Sequence, residues 1–335
     1  MSIDLPTKLK HYALEGKIPE KYAKLFLQFY QAYKQTLQEH GISMAPHETT
    51  FLVFLERVKE QIKAPFAFPP YHRQILEPFD YYQFGLSFIR PLVDEKHSSV
   101  FGEEALRQID EKIERKENVI FFANHQIEAD PQAISLLLER KHPKIAKEII
   151  CVAGERVLTD PLAIPFSMGR NLLCIYSKRH IDHPPELKPQ KQLHNKKTME
   201  LMSKLLCEGG HAIYVAPSGG RDRADALGNV QIAPFDPQSL EMFYLMAQKA
   251  TRPTSFYPMA LDTYDLLPPP QTVERELGEE RQTKRGAIHL AIGPLIDMNH
   301  FPGCEEKDKR RRREKRAEYI WSLVKRDYER LIAHH

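Results

Sequence analysis

The sequence predicts a two-part α/β protein. A small N-terminal helical bundle over residues 1–66 precedes a larger α/β domain over 67–335, whose mixed, largely parallel sheet is flanked by helices. Three observations carry this prediction. The first sixty-odd residues place apolar side chains at helical period, a proline-rich break follows, and beyond it short apolar runs alternate with helical segments. Runs of that kind belong to strands buried on both faces.

In order, Tyr22, Leu25, Phe26, Phe29, Tyr30, Tyr33 and Leu37 form one apolar stripe, with Pro19 suited to the first helical turn and Gly41 to the stop. A second helix is predicted from about Thr50 to Lys63, burying Phe51, Phe54, Leu55, Val58 and Ile62. The stretch Ala64-Pro65-Phe66-Ala67-Phe68-Pro69-Pro70 cannot continue it, because each proline removes an N–H donor and restricts its predecessor. The boundary between the two parts falls there. After a further helical stretch, an amphipathic helix carrying Ala105, Leu106, Ile109 and Ile113 leads into the apolar run 119–122. Similar runs lie at 149–153, 172–176, 212–216, 255–261 and 287–292, with helices predicted over 132–139, 190–207 and 237–250. Ala317, Trp321, Val324, Tyr328 and Leu331 close the chain as a helix.

Composition narrows the function classes. With 48 Lys+Arg against 45 Asp+Glu, a formal charge of +3 and 42% hydrophobic residues, the chain is an ordinary globular protein, not a disordered one. No window of about 18 uncharged apolar residues exists to span a bilayer. The N-terminal stretch has neither a signal core nor a transit composition, and Cys151, Cys174, Cys207 and Cys304 lie far apart with no CxxC spacing. A reduced cytosolic setting without zinc or disulfides is therefore expected. The run 309–316 carries seven bases and one acid, so the other residues sum to −3. A nucleic-acid binder is positive over a whole face rather than one short segment, which argues against that partner.

Chemistry is concentrated after predicted strands, where α/β sheets bind ligands. Behind the 119–122 run stands Ala123-Asn124-His125-Gln126-Ile127-Glu128-Ala129-Asp130-Pro131. Asp130 before proline reads as a helix N-cap, and a carboxylate at that spacing can meet His125 across the turn, leaving the second ring nitrogen to take a proton. The plainer alternative is a loop histidine beside a structural cap. After the 212–216 run, Pro217-Ser218-Gly219-Gly220-Arg221-Asp222-Arg223 sets two arginines around a glycine turn, suited to an anion. Its plainer alternative is a polar turn in which Asp222 neutralises its neighbours. It is neither a P-loop nor a nucleophile elbow, since no Gly-Lys-Ser/Thr follows and Ala216 replaces the first glycine. A third basic cluster, Ser177-Lys178-Arg179-His180, follows Gly169-Arg170-Asn171 and the 172–176 run. His180 and His183 without a third partner make a poor metal site. One strand end thus offers a base and two offer cations, the combination for an anionic substrate whose hydroxyl is activated by His125.

These residues resemble a family. Asn-His-x-x-x-x-Asp-Pro at 124–131, Gly-Arg-Asn at 169–171, Pro-Ser-Gly-Gly-Arg-Asp-Arg at 217–223 and Tyr-Pro at 257–258 resemble, in order, the motif blocks of the glycerolipid acyltransferases. The stretches 152–157, 165–174 and 266–270 are similar to those of the soluble plastid-type glycerol-3-phosphate 1-O-acyltransferases, and the resemblance spans roughly residues 20 to 300. It implies a helical bundle before an α/β domain, His125 as catalytic histidine with Asp130 as its charge-relay partner, and Arg179, His180, Arg221 and Arg223 as binders of the glycerol 3-phosphate phosphate group. At 179 the plant members carry lysine, so this chain keeps the charge and changes the geometry. The implied acyl donor is a thioester of acyl carrier protein or coenzyme A, with no metal or other cofactor. The missing transit composition points to a bacterial or processed form. Acylation at sn-2 of a lysophosphatidate is the alternative within the class, although such enzymes usually carry membrane-inserting segments. The local +6 charge of 309–316 suits an acidic carrier protein or peripheral contact with an anionic membrane. Its plainer reading is a solvated first helical turn offset by Glu305, Glu306 and Asp308.

Overall fold

The computed structural model describes residues 4–177, 181, 182, 184–270 and 278–333. Helices α1 (Leu5–Leu14), α2 (Glu20–Glu39) and α3 (Ala45–Lys63) lead, followed by β1 (Tyr71–His72), α4 (Tyr81–Ile89), β2 (Ser99–Phe101) and α5 (Glu103–Glu114). The centre of the chain holds β3 (Asn118–Ala123), α6 (Asp130–Leu138), α7 (Pro143–Glu148), β4 (Ile150–Gly154), α8 (Glu155–Thr159), α9 (Ile164–Met168) and β5 (Asn171–Ile175). Then come α10 (Lys188–Glu208), β6 (Ala212–Val215), the short antiparallel pair β7 (Arg223–Ala224) and β8 (Val230–Gln231), and α11 (Pro237–Lys249). Strands β9 (Thr254–Asp262) and β10 (His289–Ile292) and the long helix α12 (Lys309–Ile332) complete it.

The main sheet has the order β1-β5-β4-β6-β3-β9-β10-β2. Its five central strands, β5 to β9 in that order, run parallel. Antiparallel pairings flank them, β1 on β5 and β10 on β9, and β2 lies parallel to β10 at the far edge. The predicted mixed, largely parallel sheet with helical cover is thus present. Crossovers between parallel strands place helices on both faces, so successive side chains of a central strand enter different cores. In β3, Ile120 and Phe122 pack with Met202 of α10, Phe243 of α11 and Ile320 of α12, while Val119 and Phe121 pack with Ile109 of α5, Ile134 of α6 and Ile145 of α7. All five parallel strands therefore end at one edge of the sheet, and the loops that leave that edge form the site.

The α2 stripe is buried as its spacing predicts. It meets α3 through rings such as Phe26 and Phe54, 4.9 Å apart. The aromatic core continues past the bundle, with Phe51 at 4.9 Å from Phe88 of α4 and Phe54 at 5.2 Å from Phe166 of α9. Ile127, Ala129 and Ala133, in and after the loop that leaves β3, belong to this same cluster. Helix α3 starts earlier than the predicted Thr50, because Pro46 sits in its first turn, where no N–H is needed. The edge strands β1 and β2 were not predicted, being too short to show a period.

Candidate active site

From Ala123 the chain turns back on itself before entering α6. Asp130 is the first residue of that helix, Ala129 holds the capping position, and no side chain caps it. This corrects the expected N-cap role, which a free first-turn amide would require. Instead the fully buried Asp130 carboxylate folds back over its own loop. Its Oδ2 accepts from His125 Nδ1 at 2.7 Å, Gln126 N at 2.7 Å and Ile127 N at 3.3 Å, and its Oδ1 accepts from Thr263 Oγ1 at 2.6 Å. A carboxylate only accepts, so the His125 proton resides on Nδ1 and the lone pair on Nε2. With its side chain 29% exposed, His125 can present that lone pair to a substrate.

Asn124 ties three strand ends together. Its Nδ2 donates to Asp222 Oδ2 at 3.0 Å and to the Leu261 carbonyl at 2.9 Å, while its Oδ1 accepts from Leu261 N at 2.8 Å. Asp222 in turn donates its backbone N–H to the His125 carbonyl at 2.6 Å and accepts from Ala233 N at 2.9 Å. Burial pushes the Asp222 carboxyl up to about 6, against the pull of these donors. Asp222 thus points inward and binds the loop after β6 to the loop after β3 and to Ala233 beyond β8. It makes no ion pair with either neighbouring arginine among the described residues, although its charge still attracts Arg223.

Those arginines are anchored in other ways. Arg221 Nη2 donates to both oxygens of Glu279, at 2.7 and 2.6 Å, and Arg156 after β4 lies 3.1 Å from the same carboxylate. Arg281 bridges Glu128 and Asp160 at 3.0 Å each. Burial opposes charge on Glu128, yet Arg281, Arg221 and Arg156 outweigh it and hold its carboxyl below the usual range. Arg223 differs, since its Nη1 donates to the carbonyls of Arg221 at 3.2 Å and Asp222 at 3.0 Å. Its Nε is buried with no partner among the described residues, and burial together with neighbouring Arg221 lowers its pKa. Arg179, His180 and His183 lie outside the described residues.

Gly169-Arg170-Asn171 is at the opposite end of the sheet, because β5 begins at Asn171. A side chain at Gly169 would meet the Tyr81 carbonyl at 2.3 Å, so glycine lets α4 approach. Arg170 is buried, donating to Ser135 Oγ at 2.8 Å and stacking on Tyr82. The motif packs α4, α6 and the start of β5 together. Among the described residues, no group of three His, Cys, Asp or Glu side chains could hold a metal ion.

The family model described as acyltransferase matches residues 105–293, from α5 through β10. The chain is also 39% identical to the chloroplastic glycerol-3-phosphate acyltransferase of Arabidopsis thaliana, over 97% of this chain and 72% of that protein. The chain belongs to the acyltransferase family. Its identity to the chloroplastic glycerol-3-phosphate acyltransferase of Spinacia oleracea is 40%, over 91% of this chain and 66% of that one. A solved 1-acyl-sn-glycerophosphate acyltransferase from Thermotoga maritima aligns over 92% of this chain and 95% of its own at 19% identity and a TM-score of 0.44, a likeness too loose to decide anything. Of the residues expected at the site, His125 and Asp130 meet and Arg221 and Arg223 flank the glycine turn, while Asn124, Thr263, Glu279, Arg156 and Arg281, which no spacing singled out, brace the surrounding loops. Glu279 lies far along the chain from Arg221, and no spacing rule connects the two.

Proposed function

We propose that this chain transfers a fatty acyl group from an acyl thioester to the sn-1 hydroxyl of glycerol 3-phosphate, giving lysophosphatidic acid. One observation carries the reading: the 2.6 Å bond from Asp222 N–H to the His125 carbonyl joins a base to a turn flanked by two arginines. A glycerol hydroxyl at Nε2 and a phosphate at the guanidinium groups then face one braced unit. The similarity to the plant glycerol-3-phosphate acyltransferases supports the choice of acceptor.

His125 Nε2 removes the hydroxyl proton as the acceptor oxygen bonds to the thioester carbonyl carbon. The tetrahedral adduct collapses with cleavage of the C–S bond, and the proton passes from His125 to the departing thiolate. Asp130 fixes the ring and offsets the imidazolium charge while this happens. Arg221 and Arg223 hold the phosphate, and the family resemblance assigns Arg179 and His180, which follow β5 in the chain, to the same set. Both bonds to Glu279 use Nη2 of Arg221, so Nε and Nη1 of that guanidinium are left for the substrate. No metal or other cofactor enters the scheme.

The donor is an acyl thioester of acyl carrier protein or coenzyme A. In the basic run Arg313 and Arg316 pair with Glu241, so part of the charge holds α12 to α11. Lys309, Arg310 and Arg311 are exposed and suit an acidic carrier or an anionic membrane surface, and no specific nucleic acid is assigned. Among the described residues, no helix is long and apolar enough to cross a membrane. The four cysteines are free thiols, which suits the reducing cytosol.

The test is thiol release by the purified chain given a long-chain acyl thioester and glycerol 3-phosphate, with the product identified. Dependence on glycerol 3-phosphate and an sn-1 product are expected. Transfer only to the sn-2 hydroxyl of a lysophosphatidate would overturn the reading.

A further inference from the structure

We infer that Thr263, the first residue after β9, is a positioning residue for the His125–Asp130 pair, acting through the far oxygen of the carboxylate. Asp130 carries its negative charge in a fully buried place, where every lone pair left without a donor is expensive. Three donors converge on Oδ2, which faces His125. On Oδ1 the Thr263 hydroxyl, at 2.6 Å, is the one donor among the described residues. That bond fixes the rotation of the carboxylate about its own axis, and so decides which oxygen meets the imidazole.

Thr263 is itself held rigidly. It is 2% exposed, and its backbone N–H donates to Gln126 Oε1 at 2.7 Å. The next amide, Tyr264 N, reaches the same oxygen at 3.0 Å, and Gln126 neighbours His125 in the chain. The hydroxyl has one proton to give. Asp130 at 2.6 Å takes it in preference to Gln126 Oε1 at 3.5 Å. A loop from β9 thereby clamps the loop from β3 at both its glutamine and its aspartate, and the clamp ends on the carboxylate whose other oxygen meets His125.

The inference rests on His125 acting as the general base, and its test separates the two ideas. Thr263→Val keeps the shape and removes the donor, whereas Thr263→Ser keeps the donor. Without the donor, charge on the carboxylate is less shared and favours the imidazolium more, so the His125 ring titrates at higher pH. The Val variant should lose about tenfold in kcat, the effect of one hydrogen bond to a charged group, with KM for glycerol 3-phosphate within about twofold of the parent. The acid limb of its pH–rate profile should move up, and Thr263→Ser should restore both kcat and the limb. Titration of the His125 ring by NMR reads the same contact without turnover, so it remains informative even if glycerol 3-phosphate is not the acceptor. An unchanged ring titration in Thr263→Val overturns the proposal. Equal losses in the Val and Ser variants, accompanied by equal drops in Tm, also overturn it, because they indicate packing alone.

Discussion

Asp130 and Glu279 are both buried carboxylates near the carboxyl edge of the sheet, and their surroundings are opposite in kind. Around Asp130 the partners are a histidine ring, two backbone amides and a hydroxyl. Around Glu279 they are the guanidinium groups of Arg221 and Arg156. A carboxylate held by neutral donors keeps its charge, which is then available to an imidazole that becomes cationic during a reaction. A carboxylate held by two arginines has its charge matched and serves to aim them. One corner is built to respond to a moving proton, the other to stay still.

The contrast is sharpened most by removing the responding group. His125→Ala should lower kcat by about 10²- to 10⁴-fold, the usual contribution of a general base, and leave KM for glycerol 3-phosphate nearly unchanged. Steady-state rates with purified protein check this, and near-parent turnover would break the distinction between the corners. At the still corner, Arg223→Ala and Arg221→Ala each remove charge-assisted bonds of about 1.5–3 kcal/mol. KM for glycerol 3-phosphate should rise with little change in kcat or in KM for the acyl donor. A selective loss of donor affinity would contradict the assignment.

Glu279→Gln should raise the same KM by less than either arginine variant, since Arg221 keeps its charge and loses only its aim. A fall in kcat at constant KM would place Glu279 in the chemistry instead. The smallest effect concerns the seam between the corners. The Asp222 carboxyl is raised by burial from the ordinary aspartate value to about 6. The folded protein therefore binds a proton that the unfolded chain releases, and this group makes stability fall as pH rises from about 4 to about 6. Asp222→Asn removes that slope. Its Tm relative to the parent should improve across that interval and level off above it, whatever fixed penalty the lost Asn124 contact adds. A difference in Tm that does not change with pH would show that Asp222 does not titrate there.

The two corners also differ in how far the sequence discloses them. The His125–Asp130 contact closes within one turn, so local spacing at the end of an apolar strand was enough to suggest it. The fold was legible for the same reason: the stripe of α2 and the apolar runs of β3, β4, β5, β6 and β9 are local patterns with a clear period. Arg221 was visible as a cation beside glycines, yet its partner Glu279 arrives from beyond β9. Asn124 and Thr263 are uncharged residues whose roles exist only once three strand ends are brought together. Gly169-Arg170-Asn171, by contrast, precedes β5 and so lies at the edge of the sheet opposite His125, which its place in the sequence alone does not disclose. Spacing finds contacts within one loop, and only the topology of the sheet supplies those between loops.

Ile127 and Ala129 lie between His125 and Asp130 in the chain, and both belong to the apolar cluster built around Phe26, Phe51 and Phe54. The N-terminal helices are accordingly the rear wall of the turn that carries His125 and Asp130. A shortened chain that begins after residue 66 would keep every strand of the main sheet and every side chain assigned to the site. It would nonetheless leave the turn between base and carboxylate resting on water. Attempts to trim the protein to its α/β part, or to graft that part onto another carrier, should therefore transplant the residues and lose their alignment.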